Sequence, residues 1–404
     1  MVRRGRTTRS TAAILLGSIV LLGGIAASVV AAIAVFFARK VVTPVGRREE
    51  DLGIGRVDLA GGEVELYGDE VDLAGRYGLW FERDSGHARI GEVVAVGSRS
   101  ARRRIEGVDF GRLDRARRGR LDGWFYLGPW EFGRSYENVV VTTPLGPAPA
   151  WYVPSETPTS RWVIQVHGRG AKRGETLRAL PAAYDRGWDS LVISYRNDGE
   201  APASVDRRYG LGGTEWEDVE AAVRFARERG AEEIVIMGWS MGGAITLQAV
   251  LRSAAVRENL VGLILESPAI DWVDILHFQG TLYGLPAEVS SMVTRLLSAP
   301  LAVTVTGIAA PIDLHSLDAV ARAEEFDVPI LLLASEDDGF VPIEGARRFA
   351  AARPDLVQFE VFTGARHVKL WNHDPERWTR LIEGWLARRA VDGAIDHDED
   401  QIAG

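Results

Sequence analysis

From about residue 160 onward, short runs in which almost every residue is aliphatic or β-branched alternate with longer stretches whose apolar residues recur every three or four positions. The runs Val163 to Val166, Leu191 to Tyr195, Ile234 to Met237, Leu260 to Glu266, Ile330 to Ala334 and Phe359 to Phe362 are mostly apolar throughout. Strands covered on both faces look like this, so a parallel sheet is expected. Between them, Thr214 to Arg229 places Trp216, Val219, Ala222, Val223 and Ala226 on one helical face. Thr214 and Glu217 read as a capping-box pair, and Gly230 as the stop. The last helix has Asp374 as N-cap, Pro375 at its first position, and Trp378, Leu381, Ile382, Trp385 and Leu386 at helical spacing. Alternating strands and helices predict an α/β domain over residues 134–390, a doubly wound and mostly parallel sheet with helices on both faces. Asn138 to Thr143 and Ala148 to Pro154 flank the turn Pro144-Leu145-Gly146-Pro147 and predict an antiparallel hairpin ahead of it.

The remaining segments follow other patterns. Residues 38–133 read as a linker and a small β-rich accessory region, because Val57-Asp58-Leu59 and Val64-Glu65-Leu66-Tyr67 alternate briefly between glycine-rich turns. Arg102-Arg103-Arg104 and Arg115 to Arg120 form a basic cluster there, expected as a solvated face or as a contact for anionic lipid headgroups. Ala12 to Phe37 contains no charge over 26 residues, which as a helix is about 39 Å, enough to cross a bilayer. We therefore expect a basic cytoplasmic leader over residues 1–11, a transmembrane helix over 12–37, and an extracytoplasmic globular part. Arg3, Arg4, Arg6 and Arg9 before the run are nearly balanced by Arg39, Lys40, Arg47 and Arg48 after it. Residues 271–311 read as a small helical cap, and residues 391–404 as an acidic disordered tail.

The chemistry concentrates at Gly238-Trp239-Ser240-Met241-Gly242-Gly243, which ends an apolar run and opens a helical stretch. A serine in a sharp strand-to-helix turn needs small neighbours, and glycines two before and two after Ser240 supply them. With 44 glycines in 404 residues the pattern would arise by chance in roughly one such chain in four, so partners are required. A serine hydroxyl needs a base to take its proton and a carboxylate to orient that base. The run Ile330 to Ala334 leads into Ser335-Glu336-Asp337-Asp338-Gly339-Phe340-Val341-Pro342, where an orienting acid fits. The next run leads into Thr363-Gly364-Ala365-Arg366-His367-Val368, which places a histidine after the following strand. The chain order is serine, acid, histidine.

On these motifs residues 134–390 resemble a serine hydrolase of the α/β-hydrolase fold superfamily, as a membrane-anchored, serine esterase or aminopeptidase-like member. The resemblance implies Ser240 as nucleophile and His367 as base, with His373 as its rival. A D-x-x-V-P-like acid turn favours Asp338 over Asp337 and Glu336, and Asp271 is the reserve acid. An H-G-x-G-like loop, His167-Gly168-Arg169-Gly170, implies an oxyanion hole made by the backbone N–H groups of Arg169 and Met241. His167 is then structural, or simply a polar strand end. Ser194 to Pro202 is expected to shape the substrate entrance. The resemblance implies cleavage of an acyl ester, thioester or amide through an acyl-enzyme, with carboxylic esters preferred to peptides.

Composition narrows the alternatives. A formal net charge of −9 gives no support to nucleic-acid binding, and with no cysteine there is neither a disulfide nor thiol chemistry. No cofactor is implied, no metal-ligand motif appears, and the expected partners are a small acyl or peptide substrate and the lipid bilayer. The competing reading is a catalytically silent, membrane-tethered binding or scaffold protein on the same fold.

Overall fold

The computed structural model describes residues 28–402. They open with helix α1, residues 28–42. Ala34, Ala38 and Val42 stand one turn apart and are fully buried in the main hydrophobic core, flanked by Val30, Ile33, Phe37 and Val41. Of the expected transmembrane segment, residues 12–27 lie outside the described residues. Residues 28–37 are helical, but one stripe of them is docked on the globular part, where small side chains allow close approach. Among the described residues no helix is long and apolar enough to cross a membrane.

Six strands follow: β1 (Leu52–Asp58), β2 (Glu63–Tyr67), β3 (Tyr77–Phe81), β4 (Gly86–Val96), β5 (Ser100–Phe110) and β6 (Arg118–Asp122). They close into a barrel in the order β1-β2-β5-β4-β3-β6 with antiparallel pairing throughout. The alternation read in Val64-Glu65-Leu66 sends Val64 and Leu66 inward, where they meet Leu79, Phe81, Ala88 and Ile90. Closure leaves the barrel without a free edge. The basic cluster does not form one face. Arg102 and Arg104 pair with Glu63 at the surface, whereas Arg103 is fully buried and donates to the carbonyls of Val71, Leu73, Gly75 and Gly91. A side chain on alternate strand positions faces inward, and four unpaired carbonyls there account for the buried arginine.

The second sheet has eight strands: β7 (Glu137–Thr143), β8 (Gly146–Val153), β9 (Arg161–Val166), β10 (Asp189–Ile193), β11 (Glu233–Trp239), β12 (Leu260–Glu266), β13 (Ile330–Ser335) and β14 (Val357–Phe362). Their order is β14-β13-β12-β11-β9-β10-β8-β7, parallel from β14 to β10, with the β7–β8 hairpin antiparallel at one edge. Helices α2 (Leu180–Tyr184), α3 (Trp216–Glu228), α4 (Met241–Arg252) and α5 (Ala254–Arg257) connect the first strands. Three helices, α6 (Trp272–Leu282), α7 (Ala287–Ser298) and α8 (Leu301–Thr306), make up the inserted cap. Finally come α9 (Ile343–Ala352), α10 (Leu370–His373) and α11 (Pro375–Ile402).

Two helix-end expectations change. The capping box does not form: Glu215, not Thr214, precedes α3, and its buried carboxylate collects the N–H groups of Gly210, Gly212 and Thr214. Asp374 does cap α11, accepting from the Arg377 N–H, but α11 runs on to Ile402 through the stretch expected to be disordered. That stretch contains no proline to stop it.

Candidate active site

The turn between β11 and α4 holds Ser240 at φ 52° and ψ −118°, a left-handed conformation that a side chain adopts only under constraint. The glycines make the constraint possible. A Cβ on Gly242 would lie 2.1 Å from the Val166 carbonyl oxygen, and one on Gly238 would lie 2.6 Å from the Gly242 carbonyl oxygen. The elbow is held from below by β12: the Ser240 N–H donates to the Glu266 carbonyl, and the Ser240 carbonyl accepts from the Ala269 N–H. The Glu266 side chain, fully buried, accepts from the indole N–H groups of Trp239 and Trp378 and from Arg178.

Loops after β13 and β14 bring two more side chains to the elbow. His367 Nε2 lies 2.9 Å from Ser240 Oγ, and His367 Nδ1 lies 2.7 Å from Asp338 Oδ2. Asp338 Oδ1 accepts from the N–H groups of Phe340 and Val341, which aims the other oxygen at the ring. Burial alone would raise the Asp338 pKa. The charge and hydrogen bond of His367, with those two N–H groups, bring it below the ordinary carboxylate value instead. The neighbouring acids have other partners: Glu336 pairs with Arg347, and Asp337 accepts from the Gly364 N–H and so fastens the histidine loop. Asp271, the reserve acid, caps α6 and pairs with Arg348, away from the histidine. His373 takes no part in the hydrogen bonds around Ser240; it packs beside Gly364.

The loop after β9 is locked on every side. The Gly168 N–H donates to the buried Glu175 carboxylate, so it is not free to meet a substrate. The Tyr195 hydroxyl donates to the His167 and Gly168 carbonyls, and the His167 ring stacks on Tyr195 with centroids 4.2 Å apart. His167 Nδ1 faces the Gly168 carbonyl and Nε2 faces the Asp198 carboxylate, so both nitrogens have acceptors. His167 is thus a structural clamp. Among the described residues, the backbone N–H groups of Arg169 and Met241 have no protein acceptor, as groups kept for an oxyanion would be. The segment from Ser194 to Pro202 braces this loop from behind through Asp198; it does not line the recess around Ser240. The strand before it ends under the loop, which puts the bracing carboxylate beneath the site and not at its mouth.

Three contributions have no signal in the local sequence. Phe340 lays its ring 5.0 Å from that of His367. The Arg169 guanidinium donates to the carbonyls of Lys40, Val41 and Thr43, and so holds the C-terminal end of α1. The barrel reaches the site as well: Arg120 and Asp122 line the same recess as Ser240 and His367, with Arg48 from the linker paired to Asp122. Only a serine whose proton can pass to a carboxylate-oriented imidazole, beside two free N–H groups, is needed for acyl transfer. Among the described residues no cluster of three or more His, Asp or Glu side chains is placed to hold a metal ion.

Comparison with known proteins gives two family matches. Residues 56–122, the barrel, match a domain of unknown function (DUF8805). Residues 163–381 match the alpha/beta hydrolase family. No curated protein matches the chain significantly. Among solved structures it is similar to an esterase from Pyrococcus furiosus, at 18% identity and a TM-score of 0.50 over 65% of this chain and 94% of that one. It is also similar to a puromycin-hydrolyzing peptidase from Mycobacterium tuberculosis, at 18% identity and a TM-score of 0.47 over 80% of this chain and 44% of that one. A monoacylglycerol lipase from Paleococcus ferrophilus aligns at 21% identity and a TM-score of 0.42, over 59% of this chain and 99% of that one. A family match spanning more than half of the chain, on the fold described above, makes this protein a member of the alpha/beta hydrolase family and, at that level, a serine hydrolase.

Proposed function

We propose that the chain is a membrane-anchored serine hydrolase that cleaves an acyl ester, thioester or amide, with carboxylic esters preferred. The observation that carries this reading is the unbroken hydrogen-bond chain Ser240 Oγ, His367, Asp338, with donor–acceptor distances of 2.9 and 2.7 Å. Ser240 Oγ attacks the carbonyl carbon as its proton passes to His367 Nε2, and the resulting imidazolium is stabilised by Asp338. The N–H groups of Arg169 and Met241 hold the oxyanion. The bond to the leaving group breaks, and the leaving group takes the proton from His367. Water then adds to the acyl carbon, gives a proton back through His367 to Ser240, and releases the acid.

The test is labelling of the membrane-extracted protein by a fluorophosphonate. Wild type is expected to label, and Ser240→Ala and His367→Ala are not; Ser240→Ala should lose activity by a factor on the order of 10⁶ if the three groups act as one unit. Folded wild type that takes up no label would refute the proposal. Anchoring is supported by the part of the uncharged run, beginning at Ala12, that precedes the docked stripe of α1, and we place the hydrolase domain outside the cytoplasm because a basic leader precedes that run. Protease added to intact cells should then remove the domain; a domain left untouched would reverse the orientation.

A further inference from the structure

An apolar cavity adjoins the site, and the hydrolytic scheme makes no use of it. Phe37 and Val41 of α1 form one wall, and Ile275, Leu276 and Val293 of the cap form the other. Its inner end reaches Arg169 and Phe340, and both of these also line the charged recess around Ser240 and His367. The two spaces therefore adjoin at the loop of Arg169 and the acid turn of Phe340, the two side chains that stand between them. They differ in chemistry: the cavity is walled mainly by aliphatic and aromatic side chains, with Lys40, Arg169, Gln279 and Ser290 as its polar members, whereas the recess carries Arg48, Arg120, Asp122, Glu175 and Lys369.

That contrast orients an ester. The leaving oxygen has to face His367 Nε2 to receive its proton. His367 lines the recess and not the apolar cavity, so the alcohol part belongs among the charged groups. The acyl part, held at its carbonyl by the oxyanion loop, then has the apolar cavity before it. In the recess each methylene would displace water from ion pairs; in the cavity it leaves water for apolar walls, worth roughly a fourfold gain in binding per methylene.

We propose, resting on the serine-hydrolase reading above, that the substrate is an ester of an unbranched aliphatic acid with a polar alcohol part, and that α1 supplies one wall of its acyl site. The residues that set chain length on that wall, Phe37 and Val41, lie more than a hundred positions ahead of the residues matched by the alpha/beta hydrolase family. Tyr283 of the cap meets Phe37 at a centroid distance of 5.5 Å, so the two walls touch there.

The experiment uses the full chain in detergent with two series of esters: p-nitrophenyl esters from acetate to dodecanoate, and acetates of alcohols of increasing length. For wild type, kcat/KM should climb roughly fourfold per methylene along the first members of the acyl series, pass through an optimum where the chain fills the cavity and then fall, and stay flat along the alcohol series. Val41→Trp, which fills the cavity, should lower the octanoate-to-acetate ratio of kcat/KM at least tenfold. Phe37→Ala, which enlarges it, should move the optimum to longer acids and decides the matter if the tryptophan variant does not fold. A flat acyl series, a dependence on alcohol length instead, or an unchanged optimum in Phe37→Ala would overturn the proposal. Fluorophosphonate labelling separates the two failures: a labelled enzyme with no acyl-length dependence defeats this inference alone, and an unlabelled one defeats the hydrolase reading beneath it.

Discussion

Ser240 keeps its left-handed backbone because its neighbours take up almost no space, and Gly242 is the residue on which this depends most. A methyl group there would sit 2.1 Å from a backbone oxygen of β9 and 2.4 Å from the next one, neither of which can move without pulling the central strand away. Gly242→Ala should therefore cost more than about 3 kcal/mol, and denaturant unfolding would measure it. The buried carboxylates Asp122 and Asp338 set the acid limit of stability. Burial opposes the charge of Asp122, but Arg48, Arg120 and the Trp124 N–H hold its pKa far below the usual carboxylate range; that of Asp338 is lowered as well. Groups whose folded pKa lies below the unfolded value of about 3.9 stabilise above that value and lose the contribution as pH falls through the folded one. Tm should thus be insensitive to these two groups at neutral pH and decline below about pH 4, with Asp122→Asn flattening the decline. Ser240, Asp338 and His367 are legible in the sequence because each ends an apolar strand in a distinctive short motif. Glu175, Asp198 and Glu266 are not, because what gives them a role is a partner on another loop: the Gly168 N–H, the His167 ring, and a pair of indoles at positions 239 and 378.

At the level of elements, strands announce themselves by continuous apolar runs and come within a few residues of where they are expected. Helix starts are harder to read, since Thr214 and Glu217 satisfy the capping pattern while Glu215 takes the position before α3 and its buried carboxylate ties down the preceding loop instead. A pattern of exposed-sounding residues likewise conceals Arg103, whose guanidinium fills the inside of the barrel with four carbonyl acceptors. Arg103→Leu would strand those carbonyls and should destabilise the barrel by about 2 to 4 kcal/mol, read from its unfolding transition. Arg169 joins two elements that are far apart in the chain. Its backbone N–H has no protein acceptor among the described residues while its side chain grips the end of α1, where cationic donors also suit the helix dipole. Arg169→Met keeps the N–H but frees the loop, so kcat should fall about tenfold with KM for acetate esters little changed.

Across the whole molecule, the barrel and the hydrolase domain are joined by ion pairs as well as by apolar packing: Glu70 pairs with Arg366 and Lys369, Arg48 reaches Glu175, and Phe125 packs on Trp371. Arg48 from the linker meets Asp122 at the barrel's end, and Arg120 completes the cluster beside Ser240. Removing the acid from such a buried group leaves its cations uncompensated; Asp122→Ala should cost about 3 kcal/mol and expose the 123–136 connection to limited proteolysis. The docking of α1 carries a consequence for the order of assembly. The barrel strands are contiguous in the chain and can close as soon as residue 122 has emerged, but Phe37 waits for Tyr283, 246 residues later. At ordinary rates of synthesis that interval is roughly 10 to 50 s. During it α1, whose apolar stripe is Ala34, Ala38 and Val42, can be held first by Arg169 and by the Tyr209 N–H, and the wall that it shares with the cap closes only once the cap itself has been made.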